Sequence, residues 1–295
     1  MTSSACYAPS PPINASDVDG MLQDSSQLHL EFQPQVNLWT GAIDSVEALA
    51  RWRHPTIGNI SPALFIPAVH RLRRQRELFE RVVALAVCAA RTLLDANVSV
   101  PIAINACADT LADPHSLAFL LEETSRQAVE LSRLRVELTE ESPVLDLPAL
   151  NAALTELRRS GCEVALDDFG AGHANLSMLA GLTVDEVKLD RGLVWRMADS
   201  RVARESVRFV LSLGEQMGWR VVAEGVSSGA VLQMLRALGC RHGQGFLLGR
   251  PMPLQALMAQ LGSRLASPFH PCRTIPTPAL PALGCARPKV SPLRG

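Results

Sequence analysis

The sequence predicts an α/β fold, a (β/α)8 barrel of the TIM type whose first strand runs antiparallel to its neighbours. Short apolar runs rich in β-branched residues alternate with longer helical patterns roughly eight times over about 240 residues, the rhythm of a mostly parallel sheet with crossover helices. The first two runs are joined only by Trp39-Thr40-Gly41. That link is too short for a crossover helix, so these two strands pair antiparallel. Nearly every run ends in a polar residue, as expected where strand ends converge on one working face.

In chain order, strands are expected over residues 29–38, 42–52, 100–106, 133–140, 162–169, 185–190, 219–226 and 240–246. The intervening helices carry start and stop signals. Ser61-Pro62 begins one, Asp146-Leu147-Pro148 begins another that stops at Gly161, and Ser227-Ser228 opens a third ending at Gly239. Residues 1–24, rich in Ser, Pro, Asn and Asp, read as a flexible leader. The barrel is expected over 25–266. Residues 267–295 hold seven prolines in 29 positions, too many for helix or central strand, and read as a disordered tail.

Composition narrows the class. The 295 residues are 47% hydrophobic and 19% charged, which supports a large core and excludes disordered, collagen-like and disulfide-stapled chains. With 28 Lys and Arg against 29 Asp and Glu there is no basic field for a nucleic-acid backbone, so direct DNA binding is not expected. The Arg71, Arg73, Arg74 and Arg76 cluster is followed by Glu77 and Glu80 and reads as a solvated helix face. The apolar run 82–90 is half of what a membrane span needs, and the start lacks the pattern of a secretory signal. A cytoplasmic protein without membrane contact is expected. Seven cysteines without a Cys-x-x-Cys spacing read as reduced thiols.

The strand ends, in order, offer Glu47, Asn105, Glu137 with Glu140, Asp167 with Asp168, Lys188 with Asp190, Glu224 and Gln244. Any one of these acids alone also reads as a helix N-cap or a surface charge. Together they place seven carboxylates around one bowl, where like charges raise one another's pKa steeply unless cations intervene. Oxygen donors from Asp, Glu and Asn, with no His or Cys at a strand end, favour Mg²⁺ or Mn²⁺ over zinc. Adjacent Asp167 and Asp168 suit a pair of ions. Two hard metals beside a lysine and an arginine point to a phosphate ester as substrate, with Lys188 positioning or deprotonating the attacking water.

The ordered motifs Glu47-Ala48-Leu49 with Arg51-Trp52-Arg53-His54-Pro55, Asp167-Asp168-Phe169-Gly170, Lys188-Leu189-Asp190, Ala223-Glu224-Gly225-Val226 and Gln244-Gly245 resemble the EAL-domain family of cyclic-di-GMP phosphodiesterases, over about residues 28–253. The resemblance implies a (β/α)8-type barrel that hydrolyses one phosphodiester bond of cyclic di-GMP to linear pGpG with two Mg²⁺ or Mn²⁺ ions. It implies Glu47, Asn105, Glu137 and Asp167 as ligands of a first ion, and Asp167, Asp168 and Glu224 for a second. Lys188 is similar to the family's water-activating lysine and Gln244 to a residue that helps place that water. Gln33 and Arg51 match nucleotide-contacting positions, and the fork of Arg51 suits a phosphate oxygen. Glu140 resembles the acid anchoring the loop after Asp168, and Asp190 another active-site acid.

This chain departs from the family in that loop. Asp168-Phe169-Gly170-Ala171-Gly172-His173-Ala174-Asn175 lacks hydroxyls usual there, which puts rate and regulation at issue more than the reaction. The expectation is a stand-alone, homodimeric phosphodiesterase that lowers the second messenger and so regulates gene expression, motility or biofilm. The alternative is a cyclic-di-GMP receptor that acts through a regulatory protein partner, for example as a repressor of gene expression.

Overall fold

The computed structural model describes residues 13–139, 146–171, 179 and 181–265. Among the described residues, one sheet holds β1 (Leu28–Asn37), β2 (Ile43–His54), β3 (Gly58–Ile60), β4 (Ile102–Cys107), β5 (Leu134–Thr139), β6 (Glu163–Phe169), β7 (Glu186–Leu189), β8 (Arg220–Ala223) and β9 (His242–Gln244). From β2 through β4 to β9 every neighbour is parallel. β1 closes the ring by pairing antiparallel with both β2 and β9, so eight strands form the barrel and β3 extends β2 as a hairpin. The predicted barrel and its antiparallel opening strand are both present.

The β1–β2 turn is local chemistry. Asn37 Oδ1 accepts from the backbone N–H of Trp39 at 3.0 Å and of Thr40 at 3.1 Å, and Gly41 takes the left-handed conformation at φ +74°. An Asx turn followed by a positive φ is what this short link requires.

Barrel strands alternate their side chains between lumen and outer layer. The outward set, including Val46, Ile102, Ile104, Val136, Leu138, Val164, Leu166, Val187 and Leu189, forms the main apolar core with residues of the helices such as Val83, Leu150, Leu154 and Val207. The inward set is largely polar.

The expected leader needs correction. Residues Ala15–Gln23 form a helix with an Asn14/Asp17 capping box, and Val18 and Met21 are fully buried. They join Leu28, Trp52, Ile60, Phe65 and Val69 in a second small core on the β2–β3 hairpin. Nine polar-rich residues give too short a periodic signal, and such a helix stands only through tertiary packing. The arginine cluster also differs from a plain solvated face. The helix Pro62–Arg71 ends there, and the next helix starts at Gln75. Arg74 pairs with Asp19 and Glu77, and Arg71 donates to the Ile13 carbonyl, so the cluster ties down the N-terminal helix. Residues 1–12 of the predicted leader and residues 266–295, the whole of the predicted tail among them, lie outside the described residues. Also among the described residues, no helix is long and apolar enough to cross a membrane.

A candidate active site and metal centre

The lumen carries two polar rings, because residues two apart on a strand share a face. The upper ring, toward the carboxyl ends, holds Gln33, Glu47, Asn105, Glu137, Asp167, Lys188, Glu224 and Gln244. Pairing register places Gln33 beside Glu47 and Asn105 beside Glu137. β2 continues well beyond Glu47, to His54, so Glu47 sits at the barrel mouth without ending its strand.

Lys188 occupies the centre, fully buried. Its Nζ lies 2.6 Å from Glu137 Oε2, 2.8 Å from Glu224 Oε1, 3.0 Å from Asp167 Oδ1 and 3.6 Å from Glu47 Oε2. Burial alone would strip its proton, but Asp167, Glu137, Glu224 and Glu47 outweigh it and hold the pKa well above 10.5. Lys188 is therefore an ammonium.

The carboxylates divide by their partners. Burial raises the pKa of Glu47, but Lys188, a 2.7 Å hydrogen bond from Asn105 and a 2.6 Å one from Gln244 more than offset it and leave it lowered. Glu137 is pushed well above 4.5 by burial and by Glu47 and Asp167, against the pull of Lys188. Glu224 is raised to about 8, by burial first and then Asp167 and Glu47, against Lys188. Asp168 rises to about 6, again by burial and by adjacent Asp167.

Neighbouring residues on a strand point to opposite faces, so Asp167 and Asp168 need special backbone to work together. The β6–β7 register shifts between Leu166 and Phe169, and Asp168 adopts φ +53°, a left-handed conformation that an aspartate tolerates better than most residues. As a result Asp167, Asp168 and Glu224 each present a carboxylate oxygen, all within 4.8 Å of one another. This trio fits a hard divalent cation by donor type and spacing. Gln244 Oε1 is buried without a hydrogen-bond partner, a further oxygen turned to no protein donor.

The ring opens on a cleft of about 320 Å³ lined by Glu47, Arg51, Asn105, Asp167 and Asp168 on its polar side and by Leu49, Pro62, Ile66 and Phe79 on its apolar side. Arg51 stands at this cleft, paired with Glu31 at 2.7 Å. Gln33 is held within the ring, donating to the Gly249 carbonyl at 3.0 Å and accepting from Gln244 at 3.1 Å. Asp190 caps the helix Arg191–Arg196, its Oδ1 accepting from the Gly192 and Leu193 amides. Glu140 and the variant positions 173–175 lie outside the described residues.

Two features escaped the sequence reading. β4 runs one residue further than expected, so Cys107 ends it and lines the cleft, its Sγ 3.0 Å from Thr110 Oγ1. That corrects the expectation that no strand ends in cysteine. Below the upper ring lies a second one, of Gln35, Ser45, Arg135, Glu163, Glu186 and Arg220. Arg135 contacts Glu163 at 2.6 Å and Glu186 at 3.0 Å, and Arg220 reaches both acids. Gln35 joins the rings, donating to Glu137 Oε1 at 2.9 Å. The signal was available: Ser45, Arg135 and Glu186 lie two positions before an upper-ring residue on the same strand, and Gln35 two positions after one.

A closed α/β barrel with an acidic, lysine-centred mouth defines a class of candidate hydrolases that work with divalent cations. Comparison with known proteins gives the family: residues 17–251 match the EAL domain model, and the chain belongs to the EAL domain family. A cyclic di-GMP phosphodiesterase of Pseudomonas aeruginosa is 35% identical over 224 residues, 76% of this chain and 38% of that protein. MucR, a bifunctional diguanylate cyclase/cyclic di-GMP phosphodiesterase of the same organism, is 35% identical over 236 residues, 80% of this chain and 34% of that one. This chain thus spans between a third and two fifths of those relatives. A solved structure described as the PaMucR phosphodiesterase in complex with c-di-GMP superposes with a TM-score of 0.76 at 34% identity, covering 82% of this chain and 98% of the other.

Proposed function

We propose that this chain hydrolyses one phosphodiester bond of cyclic di-GMP to give linear pGpG, and so lowers the concentration of that second messenger. The observation that carries the reading is Lys188 Nζ set among Glu47, Glu137, Asp167 and Glu224, of which Glu47 and Asp167 also line a cleft that holds Arg51. The relatives named above as cyclic di-GMP phosphodiesterases, and a c-di-GMP complex with the same fold, support the choice of substrate.

In this reading Glu47, Asn105, Glu137, Asp167, Asp168 and Glu224 hold two divalent cations, Mg²⁺ or Mn²⁺. Such ions neutralise charge on a phosphodiester and favour its attack by water. The residues do the rest. Asn105 and Gln244 hold the Glu47 carboxylate in one orientation from two sides. Lys188, as an ammonium, holds and orients; drawing its carboxylate neighbours toward a cation is what would lower its pKa and let Nζ accept a proton. Gln244 helps place the attacking water, and Glu140 keeps the loop after Asp168 in register. Arg51 offers a planar fork to a phosphate oxygen, Gln33 contacts the nucleotide from the wall, and Asp190 sets the rim through its helix cap. A homodimer in the cytoplasm completes the proposal and rests on the family resemblance.

The test is incubation of the purified protein with cyclic di-GMP and Mg²⁺ or Mn²⁺, with and without a chelator, following pGpG by chromatography. Chelator-sensitive formation of pGpG is expected. Absence of product with either ion refutes the reading.

A further inference from the structure

The lower ring has a direction built into it. We propose that Gln35 is a positioning residue for this site, its amide locked by Arg135 and Ser45 so that it can only donate to Glu137. The inference rests on the phosphodiesterase reading for the reaction, and on the acidic mouth alone for metal binding.

Gln35 is buried between the rings, opposite Ser45 in the β1–β2 register. A glutamine amide fits such a place in two ways, with oxygen and nitrogen exchanged. Arg135 Nη1 lies 3.0 Å from one end of it, and Ser45 Oγ hydrogen-bonds to the same atom. A guanidinium has donors and no acceptor, so the atom facing it must be the carbonyl oxygen. The NH₂ is thereby left 2.9 Å from Glu137 Oε1. The flipped amide would set NH₂ against guanidinium and oxygen against carboxylate, two repulsive contacts in place of two attractive ones.

Arg135 is fixed in turn. It is fully buried, 3.0 Å from buried Glu186 and 2.6 Å from Glu163, with Arg220 bracing both acids from the other side. Donation therefore runs one way from Arg135 through Gln35 to Glu137, with Arg135 itself anchored on Glu186 by the ion pair. Its effect is to distinguish the two oxygens of Glu137. Oε1 is tied to Gln35, while Oε2 faces Lys188 at 2.6 Å. The last torsion of a glutamate is broad, so without this tie the carboxylate swings. Partners beneath a ligand of this kind typically set metal affinity or activity within about one to two orders of magnitude.

Gln35→Met keeps the volume and removes the hydrogen bonds. Its Mn²⁺ affinity, titrated calorimetrically without substrate, is expected to weaken about tenfold, and kcat for cyclic di-GMP to fall about tenfold with KM within about twofold. A lesion of packing alone would lower the melting temperature and leave Mn²⁺ affinity untouched. A second variant, Arg135→Met with Glu186→Leu, removes the lock with charge kept balanced and leaves Glu163 and Arg220 to pair. It should lose Mn²⁺ affinity similarly, although neither residue touches the upper ring.

Wild-type Mn²⁺ affinity in folded Gln35→Met overturns the proposal. If that variant does not fold, wild-type affinity in the double variant overturns it instead. Wild-type protein that binds Mn²⁺ but leaves cyclic di-GMP intact refutes the phosphodiesterase reading while the titrations still decide this one. Wild-type protein that binds no Mn²⁺ refutes both.

Discussion

The two rings of the barrel lumen share most of their strands and differ in charge balance. The lower sets Arg135 and Arg220 against Glu163 and Glu186, two against two, in mutual contact. The upper sets Lys188 against Glu47, Glu137, Asp167, Asp168 and Glu224, one against five. A buried pair that cancels is compatible with a stable interior, whereas five carboxyl groups crowded around one ammonium have no stability rationale. The imbalance marks the working end of the barrel. It shows in the titration behaviour as well, since Glu224 and Asp168 are raised to about 8 and about 6.

The largest effect should come from the ring in excess. Glu47→Ala removes a proposed ligand and is expected to reduce pGpG formation by at least about a thousandfold, several kcal/mol of barrier, as read by chromatography. Turnover at the wild-type rate would break the comparison at its root. Next, a divalent cation should relieve the upper ring. At a concentration 100 times its Kd it adds about 2.7 kcal/mol of stability, a rise of several degrees in melting temperature.

The sign of the pH dependence follows from the raised carboxyls. Without metal, Glu224 stabilises the fold fully below about pH 4.5, and that contribution is lost as pH rises through about 8. Asp168 behaves alike between about 3.8 and about 6. The metal-free melting temperature should therefore carry a falling component from pH 5 to 8, and metal binding should tighten over the same range with release of protons. Calorimetry in two buffers of different ionisation enthalpy measures that release. Binding that is independent of pH from 6 to 8 would remove these carboxyls from the site.

The balanced ring should respond in stability. Arg135→Ala leaves buried Glu186 short of a partner and is expected to cost about 3–5 kcal/mol in denaturant unfolding. A loss below about 1 kcal/mol would mean that the lower ring carries no net burden. The smallest effect is expected at Asp190, where Asn is an equally good cap. Asp190→Asn should unfold within about 0.5 kcal/mol of wild type and keep at least a tenth of its turnover. A larger fall would add the Asp190 charge to the working set.

Much of this was legible from residue order. The short Trp39-Thr40-Gly41 link announced an antiparallel first pair, and strand-end polar residues announced the mouth, because both depend on local chain geometry. Other features depend on what arrives from afar. Nothing near Ala15–Gln23 says that Trp52 and Phe65 wait to cover Val18 and Met21. The lower ring was passed over because Arg135, Glu163 and Glu186 look like ordinary strand-flanking charges until closure of the barrel turns them inward. The left-handed backbone of Asp168, which lets two adjacent acids share one site, is set by the β6–β7 register shift and has no signature in the residue types.

The measurement that bears most directly on the central claim is turnover of cyclic di-GMP by wild type and Lys188→Ala in Mg²⁺ or Mn²⁺, alongside a binding titration in Ca²⁺. The account predicts that wild type yields pGpG and that Lys188→Ala binds the nucleotide but does not cleave it. Tight binding by wild type with no turnover in either activating ion would contradict it, and would make the acidic mouth that of a receptor.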